Sequence, residues 1–225
     1  FHWPAHCSVT ISLSASSVLV PTILSGEPHL EQSSTYLDYQ SAAAYLRLCQ
    51  QSPEYVALRS QIPLHQVASM IRANISSTPL QIIALGVGDG TLTARLVQLL
   101  VDGKSSLPIN LCLVDISLPI LSHALGSAAA LAQCSTVSTW GISSDLLDLP
   151  IHDGLLSQRG PIGGRRLFCM LGGTLTDLEN EPRFFQHSLV GARPGDMLLL
   201  DIPLRYEERD LQTPSALSPL YRGWF

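Results

Sequence analysis

The sequence has little charge, and most of that charge is negative. Only 14% of the 225 residues are Asp, Glu, Lys or Arg, and the formal net charge is −5. No run of Lys or Arg could neutralise a row of phosphates, so the sequence argues against a nucleic-acid partner. Because 46% of the residues are hydrophobic, the composition is that of a packed globular protein rather than a disordered one.

The sequence also lacks a Cys-x-x-C motif. Its five cysteines are scattered and odd in number. Cys112 and Cys169 lie in apolar runs typical of strands, so the cysteines are interpreted as reduced core thiols of a cytoplasmic protein. Three possible metal ligands stand near the N-terminus: His2, His6 and Cys7. Because no second cluster accompanies them in the sequence, we predict no metal site.

Long hydrophobic runs are missing as well. No uninterrupted apolar run reaches the ~20 residues of a membrane helix. The stretch SVTISLSASSVLVPTILSG lacks a basic segment, is diluted with serine and is broken by Pro21, so we predict neither a signal peptide nor a membrane partner. The chain begins at Phe1 instead of a methionine. We therefore expect it to derive from a longer protein, whose other domains would be partners.

Apolar periodicity divides the chain into three regions. Residues 1–35 form an N-terminal extension. Within it, apolar and small polar residues alternate over residues 8–24, indicating one or two strands, and SGEPHLEQSST is interpreted as a loop. Residues 36–78 have helical periodicity, with Pro53 and Pro63 in first-turn positions, and are predicted to form a helical cap. Residues 79–225 alternate between strand and helix patterns and are predicted to form the ligand-binding domain.

Five short apolar runs predict the strands of this domain. They are LQIIALGV, INLCLVDI, STVSTWGI, RRLFCML and MLLLDIPL. Between them, SSDLLDLP is interpreted as a turn, HDGLLSQRGPIGG as a loop and EPRFFQHSLVGA as a helix. Such alternation favours an α/β fold with a mostly parallel sheet, helices on both faces and a ligand site at the carboxyl ends of the strands.

A glycine-rich loop, ALGVGDGTLTARLV, includes the end of the first of these strands. Gly86, Gly88 and Gly90 lack Cβ atoms, so the backbone can turn sharply and approach a ligand near a helix N-terminus. Their spacing differs from the G-x-G-x-x-G of dinucleotide loops, and no G-K-[ST] of a Walker loop follows. The loop favours a ligand less anionic than a pyrophosphate, such as S-adenosylmethionine (SAM). A purely structural glycine turn is the alternative.

Two acids follow the next two strands. Asp115 lies 25 residues after Gly90, where it can accept hydrogen bonds from two ribose hydroxyls or cap the following helix. Asp145 follows the third strand, where a carboxylate can meet the adenine amine or cap a short helix. With Ile116 and Leu146, the residues after each acid, they form the predicted nucleoside end of the site.

The loop, the two acids and the turn ARPGDMLLLDI together resemble a class I SAM-dependent methyltransferase. More narrowly, LFCMLGGTLTDLENEPRFFQHSLVGARPGDMLLLDIPL resembles the histidine Nα-methyltransferase family of ergothioneine biosynthesis, whose fourth strand ends in a pattern like FLGSTIGNL. The segments STYLDYQS and SPEYVALR are similar, more loosely, to that family's FYDERGS and PEYYPTR. The resemblance extends from about Tyr36 to Leu204.

The resemblance implies a Rossmann-like domain that transfers a methyl group from SAM to a nitrogen of a small amine or amino acid. The residues it assigns to SAM are Gly86, Gly88, Gly90, Asp115, Asp145, Gly172, Gly173 and Thr174. It places Tyr36 and Tyr55 in the amino-acid pocket, and Asp177 where the family has an asparagine that holds the substrate's α-amino and carboxylate groups. These three are the catalytic candidates. Because an aspartate repels a carboxylate, the substrate is expected to be an amine or a differently oriented amino acid.

Two other functions stay open at this point. The family's fold continues past the fifth strand, whereas about twenty residues follow Ile202 here, so the fold is either reduced or completed outside this chain. A SAM-binding domain without activity, serving as an interaction module, is therefore the first alternative. The second is an NAD-linked oxidoreductase, which the glycine spacing and the lack of a clear Tyr-x-x-x-Lys pair disfavour.

Overall fold

The centre of the molecule is a parallel β-sheet. The computed structural model describes residues 7–11, 37–102, 107–178, 181–189 and 191–202. Within these residues the strands are β1 (Cys7–Ile11), β2 (Leu80–Leu85), β3 (Ile109–Asp115), β4 (Val137–Ser143), β5 (Arg165–Met170) and β6 (Met197–Leu200). Their order is β1-β4-β3-β2-β5-β6, and each neighbouring pair is parallel. The predicted parallel sheet is confirmed.

Helices precede the central strands and connect them. They are α1 (Tyr39–Gln51), α2 (Pro53–Ser60), α3 (Leu64–Ile75), α4 (Thr91–Val101), α5 (Leu118–Ala128) and α6 (Asp153–Arg159). Among the described residues, no helix combines the length and the apolar character that crossing a bilayer requires.

The connection between β4 and β5 is more helical than the sequence predicts. The loop prediction for HDGLLSQRGPIGG is wrong over α6, where the buried side chain of Leu156 packs against the sheet and outweighs the local effect of the glycine. The turn SSDLLDLP is a 3-10 helix, Leu146–His152. Further on, the predicted helix EPRFFQHSLVGA is irregular, because the turn Glu181–Arg183 continues into a π-helix, Phe184–Ser188.

The side chains of β2 alternate between two apolar layers. Ile82 and Ala84 pack with α3, α4 and α5, whereas Ile83 and Leu85 pack with α6 and Phe184 on the other face. Every residue of β2 is buried, as expected for a central parallel strand. Helices on both faces of the sheet are therefore confirmed, and the domain has a Rossmann-like architecture.

The two regions before β2 also contribute to this domain. The strand expected in the N-terminal extension is β1, which pairs with β4 at the sheet edge; the rest of that prediction lies outside the described residues. In the region 36–78, α3 buries one face in the same core as α4. By contrast, α1 and α2 lie beside the carboxyl edge of the sheet, where they approach the glycine loop.

A buried serine sets the corner between α1 and α2. The backbone N–H of Ser52 donates to Leu48 O (3.0 Å) at the end of α1, while its hydroxyl accepts from Tyr55 N (3.2 Å) at the start of α2. Pro53 occupies the first turn of α2, as its fixed φ favours. This double cap fixes the position of Tyr55 relative to α1.

Candidate functional site

The strand order changes direction between β2 and β5. From β2 the chain continues to β3 and β4 on one side of the sheet, and it then crosses to β5 and β6 on the other side. In open α/β sheets a ligand binds at the carboxyl ends of the strands at such a switch point. The topology brings these predicted residues to that edge: Gly86, Gly88, Gly90, Asp115, Ile116, Asp145, Leu146, Gly172, Gly173 and Thr174.

The glycine loop is closely packed by the protein itself. Gly86, Gly88 and Gly90 have φ values of +61°, +56° and +76°, a region that L side chains rarely adopt. A Cβ at Gly88 would lie 2.6 Å from the hydroxyl of Tyr45, and one at Gly86 would overlap the side chain of Thr174. The missing Cβ atoms therefore make room for neighbouring elements, and a ligand must approach the loop from another direction.

We expect Gly90→Ala to destabilise the fold more than Gly163→Ala. Both residues have positive φ, so each substitution carries a backbone cost of about 1–2 kcal/mol. At Gly90 the new Cβ would also lie 2.9 Å from the backbone Cα of Ala124, whereas at Gly163 it would meet nothing within 4 Å. Crowding should add about 1–3 kcal/mol at Gly90 alone. Equal losses in the free energy of unfolding, measured with urea, would show that α5 shifts to accommodate the new Cβ.

Asp115 lies at the end of β3, directly beside the glycine loop. It is 7% exposed, and its carboxylate accepts from Ser117 N (2.9 Å) and Gly88 N (3.4 Å). Burial raises the pKa of Asp115 to about 6, against the lowering effect of the backbone N–H groups of Ser117, Gly88 and Val87. Because a carboxylate can accept about four hydrogen bonds, it retains capacity for ribose hydroxyls.

The helix after Asp115 has a cap of its own. Ser117 is the N-cap residue of α5, and its hydroxyl accepts from Ile120 N (3.4 Å). Asp115 lies two residues before this cap. Among the N–H groups at the start of α5, its carboxylate accepts only from that of Ser117, the cap residue itself. The alternative interpretation of Asp115 as the helix cap is therefore wrong.

Asp145 does cap a helix. It is the N-cap residue of the 3-10 helix Leu146–His152, and its Oδ1 accepts from Leu147 N (2.8 Å). The preceding residue, Ser144, donates its backbone N–H to Asp115 O (3.0 Å), which ties the ends of β3 and β4 together. Leu146 is buried at this junction, and Ile116 is half-buried.

Thr174 joins the two sides of the switch point. Its hydroxyl donates to Gly86 O (2.9 Å), so the loop after β5 is fixed to the glycine loop after β2. Gly172 and Gly173 reach this position with φ values of +83° and +88°. The backbone N–H of Gly172 donates to Asp201 Oδ2 (3.1 Å), which adds a carboxylate from the end of β6.

Of the three catalytic candidates, Tyr55 is the one whose side chain the structure describes. Tyr55 lies half-buried on α2, and burial raises its pKa to about 12. Its phenol therefore stays protonated near neutral pH, where it can orient a substrate but does not act as a base. Asp177 ends the 3-10 helix Thr174–Asp177, but its side chain lies outside the described part of the chain, as does all of Tyr36.

An ion pair that the sequence analysis missed connects α2 to the glycine loop. Arg59 donates from Nη1 to Asp89 Oδ2 (2.9 Å) and from Nη2 to Asp89 Oδ1 (2.6 Å) and Thr91 Oγ1 (2.7 Å). Burial alone would raise the pKa of Asp89, but the hydrogen bond and charge of Arg59 outweigh it and lower that pKa. The sequence signal for this ion pair was the position of Asp89 within the glycine loop, because an acid buried there needs a cationic partner.

Tyr45 is a second residue at the glycine loop that the sequence did not predict. Its hydroxyl lies over Gly88, as the close approach to that residue shows, and its burial raises the pKa of the phenol well above 10. Tyr45 also interacts with Tyr55 and Cys49. The phenol of Tyr45 thus covers the glycine loop from the side of α1, and the sequence offered only the helical periodicity of α1 as a signal.

The donors that a pyrophosphate would need are already engaged. Thr91 N, the first N–H of α4, donates to Asp89 Oδ1 (3.1 Å), and Gly90 N donates to Val87 O (3.1 Å). A carboxylate therefore occupies the helix start at which a dinucleotide phosphate would bind. Because these N–H groups already have acceptors, a phosphate there would have to displace the Asp89 carboxylate, which argues against NAD and favours a ligand without phosphates.

Comparisons with known proteins give likenesses to solved structures only. No known protein family matches the chain, and no curated protein sequence matches it. One similar structure is a candidate SAM-dependent methyltransferase of Methanococcus maripaludis, with a TM-score of 0.46 and 16% identity over 75% of this chain and 63% of that one. This chain therefore spans less than two thirds of that protein.

Two further solved structures are similar to a comparable degree. Magnesium protoporphyrin IX methyltransferase of Synechocystis, with bound S-adenosylhomocysteine (SAH), has a TM-score of 0.48 and 16% identity over 72% of this chain and 68% of that one. A SAM-dependent methyltransferase of Geobacter sulfurreducens in complex with SAH has a TM-score of 0.40 and 14% identity over 72% and 55%. The function of this chain must be inferred from its own site.

Proposed function

We propose that this chain is a SAM-dependent methyltransferase domain whose acceptor is a nitrogen of a small amine or amino acid. The observation that supports it most is the buried carboxylate of Asp115 at the carboxyl edge of the sheet, next to the glycine loop. An ionised carboxyl group in that position costs folding free energy. Its presence there is explained if it binds the ribose hydroxyls of a nucleoside ligand.

The remaining cofactor residues would surround the same ligand. Asp145 would meet the adenine amine between the apolar side chains of Ile116 and Leu146. Gly172, Gly173 and Thr174 would form the floor beneath the sulfonium, beside Gly86, to which Thr174 is bonded. SAM, when bound there, supplies an electrophilic methyl group. The engaged loop donors and the carboxylate of Asp89 suit this ligand, since it carries no phosphate.

The residues of this chain would act mainly by positioning the acceptor. Alignment of two reactants can contribute about 7–11 kcal/mol to a rate enhancement, and methyl transfer needs no covalent protein intermediate. The acceptor amine must be neutral, so we assign proton acceptance to Asp177 and orientation to Tyr55 and Tyr36. The resemblance to the histidine Nα-methyltransferases supports a nitrogen acceptor, and the aspartate at position 177 favours an amine over a free carboxylate.

A transfer assay tests this proposal. The chain is incubated with SAM labelled on its methyl group and with a panel of amines and amino acids, and labelled product is counted. Label transferred to a nitrogen by the wild-type chain, but not by Asp115→Asn, supports the proposal. Tight SAH binding without transfer to any acceptor would instead identify a SAM-binding interaction module.

The affinity for SAH should depend on pH through Asp115. Ribose hydroxyls donate to the ionised carboxylate, and the pKa of this group in the free protein is about 6. Binding should therefore be strongest above pH 6 and weaken below it, by up to about tenfold per pH unit. Calorimetric titrations between pH 7.5 and pH 5 measure this on the folded chain, at roughly half-unit steps. A constant affinity across the range would show that Asp115 does not contact the ligand.

A further inference from the structure

Among the described ion pairs, the one between Arg59 and Asp89 joins the helices before β2 to the glycine loop. The side chain of Arg59 is 13% exposed, and that of its partner Asp89 is 3% exposed. Two parallel N–H···O bonds to one carboxylate are a geometry that only a guanidinium supplies. The third bond, to Thr91, extends the contact to the first residue of α4.

Such a pair is a weak means of stabilising a fold. Removing two charges from water costs nearly as much as their attraction returns, and apolar pairs of similar volume often serve as well. Its value lies in fixing geometry, because both charges must stay together once they are buried. Here the fixed element is Asp89, which lies between Gly88 and Gly90 in the loop that Asp115 also holds.

The same arginine contacts the proposed acceptor side. Its guanidinium carbon lies 5.5 Å from the centroid of the Tyr55 ring, one turn earlier on α2. Arg59 and Asp89 also line a cavity of about 760 Å³ between α2, α3 and α4, whose walls include Val56, Leu64 and Arg95. Arg59 is thus shared by the loop, by the ring of Tyr55 and by this cavity.

We propose that Arg59 is a positioning residue that couples α2 to the glycine loop, so that cofactor binding and the ordering of the acceptor side at Tyr55 depend on each other. This inference rests on the proposed function, since it takes the glycine loop as the cofactor loop. The coupling acts through the bidentate contact with Asp89. When the loop is fixed by a ligand, Asp89 is fixed with it, and α2 is held in the position that places Tyr55.

The test measures SAH affinity and hydrogen exchange in the full chain. In the wild type, SAH should slow amide exchange in the glycine loop and also in residues 53–60. In Arg59→Gln, SAH should bind about tenfold more weakly. Slowed exchange should then be confined to the loop. Arg59→Lys keeps the charge but loses the bidentate geometry and should give an intermediate affinity, which also provides a folded variant if the glutamine variant unfolds.

Arg72→Gln is the matched control. Arg72 joins α3 to the far end of α4 by donating to Leu99 O (2.6 Å), so it is an arginine that contacts the same helix as Arg59 but lies remote from the loop. Its loss should leave SAH affinity and the exchange of residues 53–60 unchanged, even if it lowers the melting temperature. A similar loss of SAH affinity in Arg72→Gln would reduce the role of Arg59 to general stability.

The possible failures are separable. If the wild-type chain does not bind SAH, the proposed function is wrong. If the wild type binds SAH while Arg59→Gln and Arg59→Lys bind it equally well, the coupling is wrong and the proposed function stands. Slowed exchange of residues 53–60 that persists in Arg59→Gln would also overturn the coupling.

Discussion

Replacing Asp115 by asparagine should weaken SAH binding about 100-fold while making the free chain more stable. Ribose hydroxyls would lose the two charge-assisted hydrogen bonds that a carboxylate accepts. An asparagine keeps the shape and one acceptor oxygen, so Ser117 N retains a partner, whereas the longer bond from Gly88 N is lost because the amide Nδ2 replaces the second oxygen. Loss of binding in a variant that melts no lower than the wild type would therefore report the missing charge rather than a collapsed site.

The gain in stability follows from the sign of the pKa shift. Burial raises the pKa of Asp115 from 3.8 to about 6, so the folded chain binds this proton more tightly than the unfolded chain. The contribution of Asp115 is therefore most favourable below pH 4 and declines as pH rises through about 6. At neutral pH the neutral asparagine should regain on the order of 1 kcal/mol, which is roughly 2–4 °C in Tm for a chain of this size.

Thermal melts and calorimetric titrations of the two proteins check both parts. A variant that melts higher and binds poorly would show that Asp115 is kept for its ligand at the expense of stability. A variant that melts lower would mean that the ionised carboxylate stabilises the fold through its backbone contacts. Unchanged SAH affinity would remove Asp115 from the site.

Replacing Arg166 by glutamine should destabilise the fold by about 3 kcal/mol or more, since a buried charge would lose its partner. Arg166 is 7% exposed at the start of β5, where it donates to Asp196 Oδ2 (2.9 Å), Asp153 Oδ1 (3.0 Å) and Gly191 O. Its guanidinium carbon also lies 5.4 Å from the centroid of the Phe168 ring. Asp196, 10% exposed, would keep its backbone donors but lose its counter-charge.

Arg165→Gln is the control for this substitution. Arg165 is the neighbouring residue, and within the described residues its guanidinium donates only to Asn74 O (2.9 Å), in an exposed contact. Its loss should change stability by less than about 0.5 kcal/mol, whereas Arg166→Gln should lower Tm by roughly 10 °C. Both residues lie at the amino end of β5, so neither variant should change SAH affinity if it is measured below its melting temperature. Equal, small effects would show that the cluster around Arg166 is solvated.

Much of the fold was predictable because its strands are apolar on both faces. A run such as LQIIALGV can only be buried between two layers, and turn residues separate it from the next helix. Where tertiary packing competes with local preference, the prediction fails. Burial of Leu156 stabilises a helix in a segment that contains a glycine. The buried Phe184 lies in a π-helix, which the periodicity of the sequence does not predict.

The site was predictable where topology alone places a residue. Asp115 and Asp145 follow strands that end at one edge of a parallel sheet, so their proximity follows from the strand order. The contacts of Arg59 with Asp89 and of Tyr45 with Gly88 could not be predicted, because they depend on the angle at which α1 and α2 pack against the loop. The positive φ values of the glycines follow from the local turn and could be predicted. The residues packed against those glycines come from distant parts of the chain and could not.

The most direct test of the proposed function is a calorimetric titration of the purified chain with SAH near pH 7.5, where Asp115 is ionised. We predict micromolar binding to about one site per chain, driven by the hydrogen bonds of the nucleoside end. The same titration with NADH should show no binding, because Asp89 occupies the start of α4. Binding of NADH and not SAH, or of neither ligand, would contradict the assignment of this sheet edge as a SAM site.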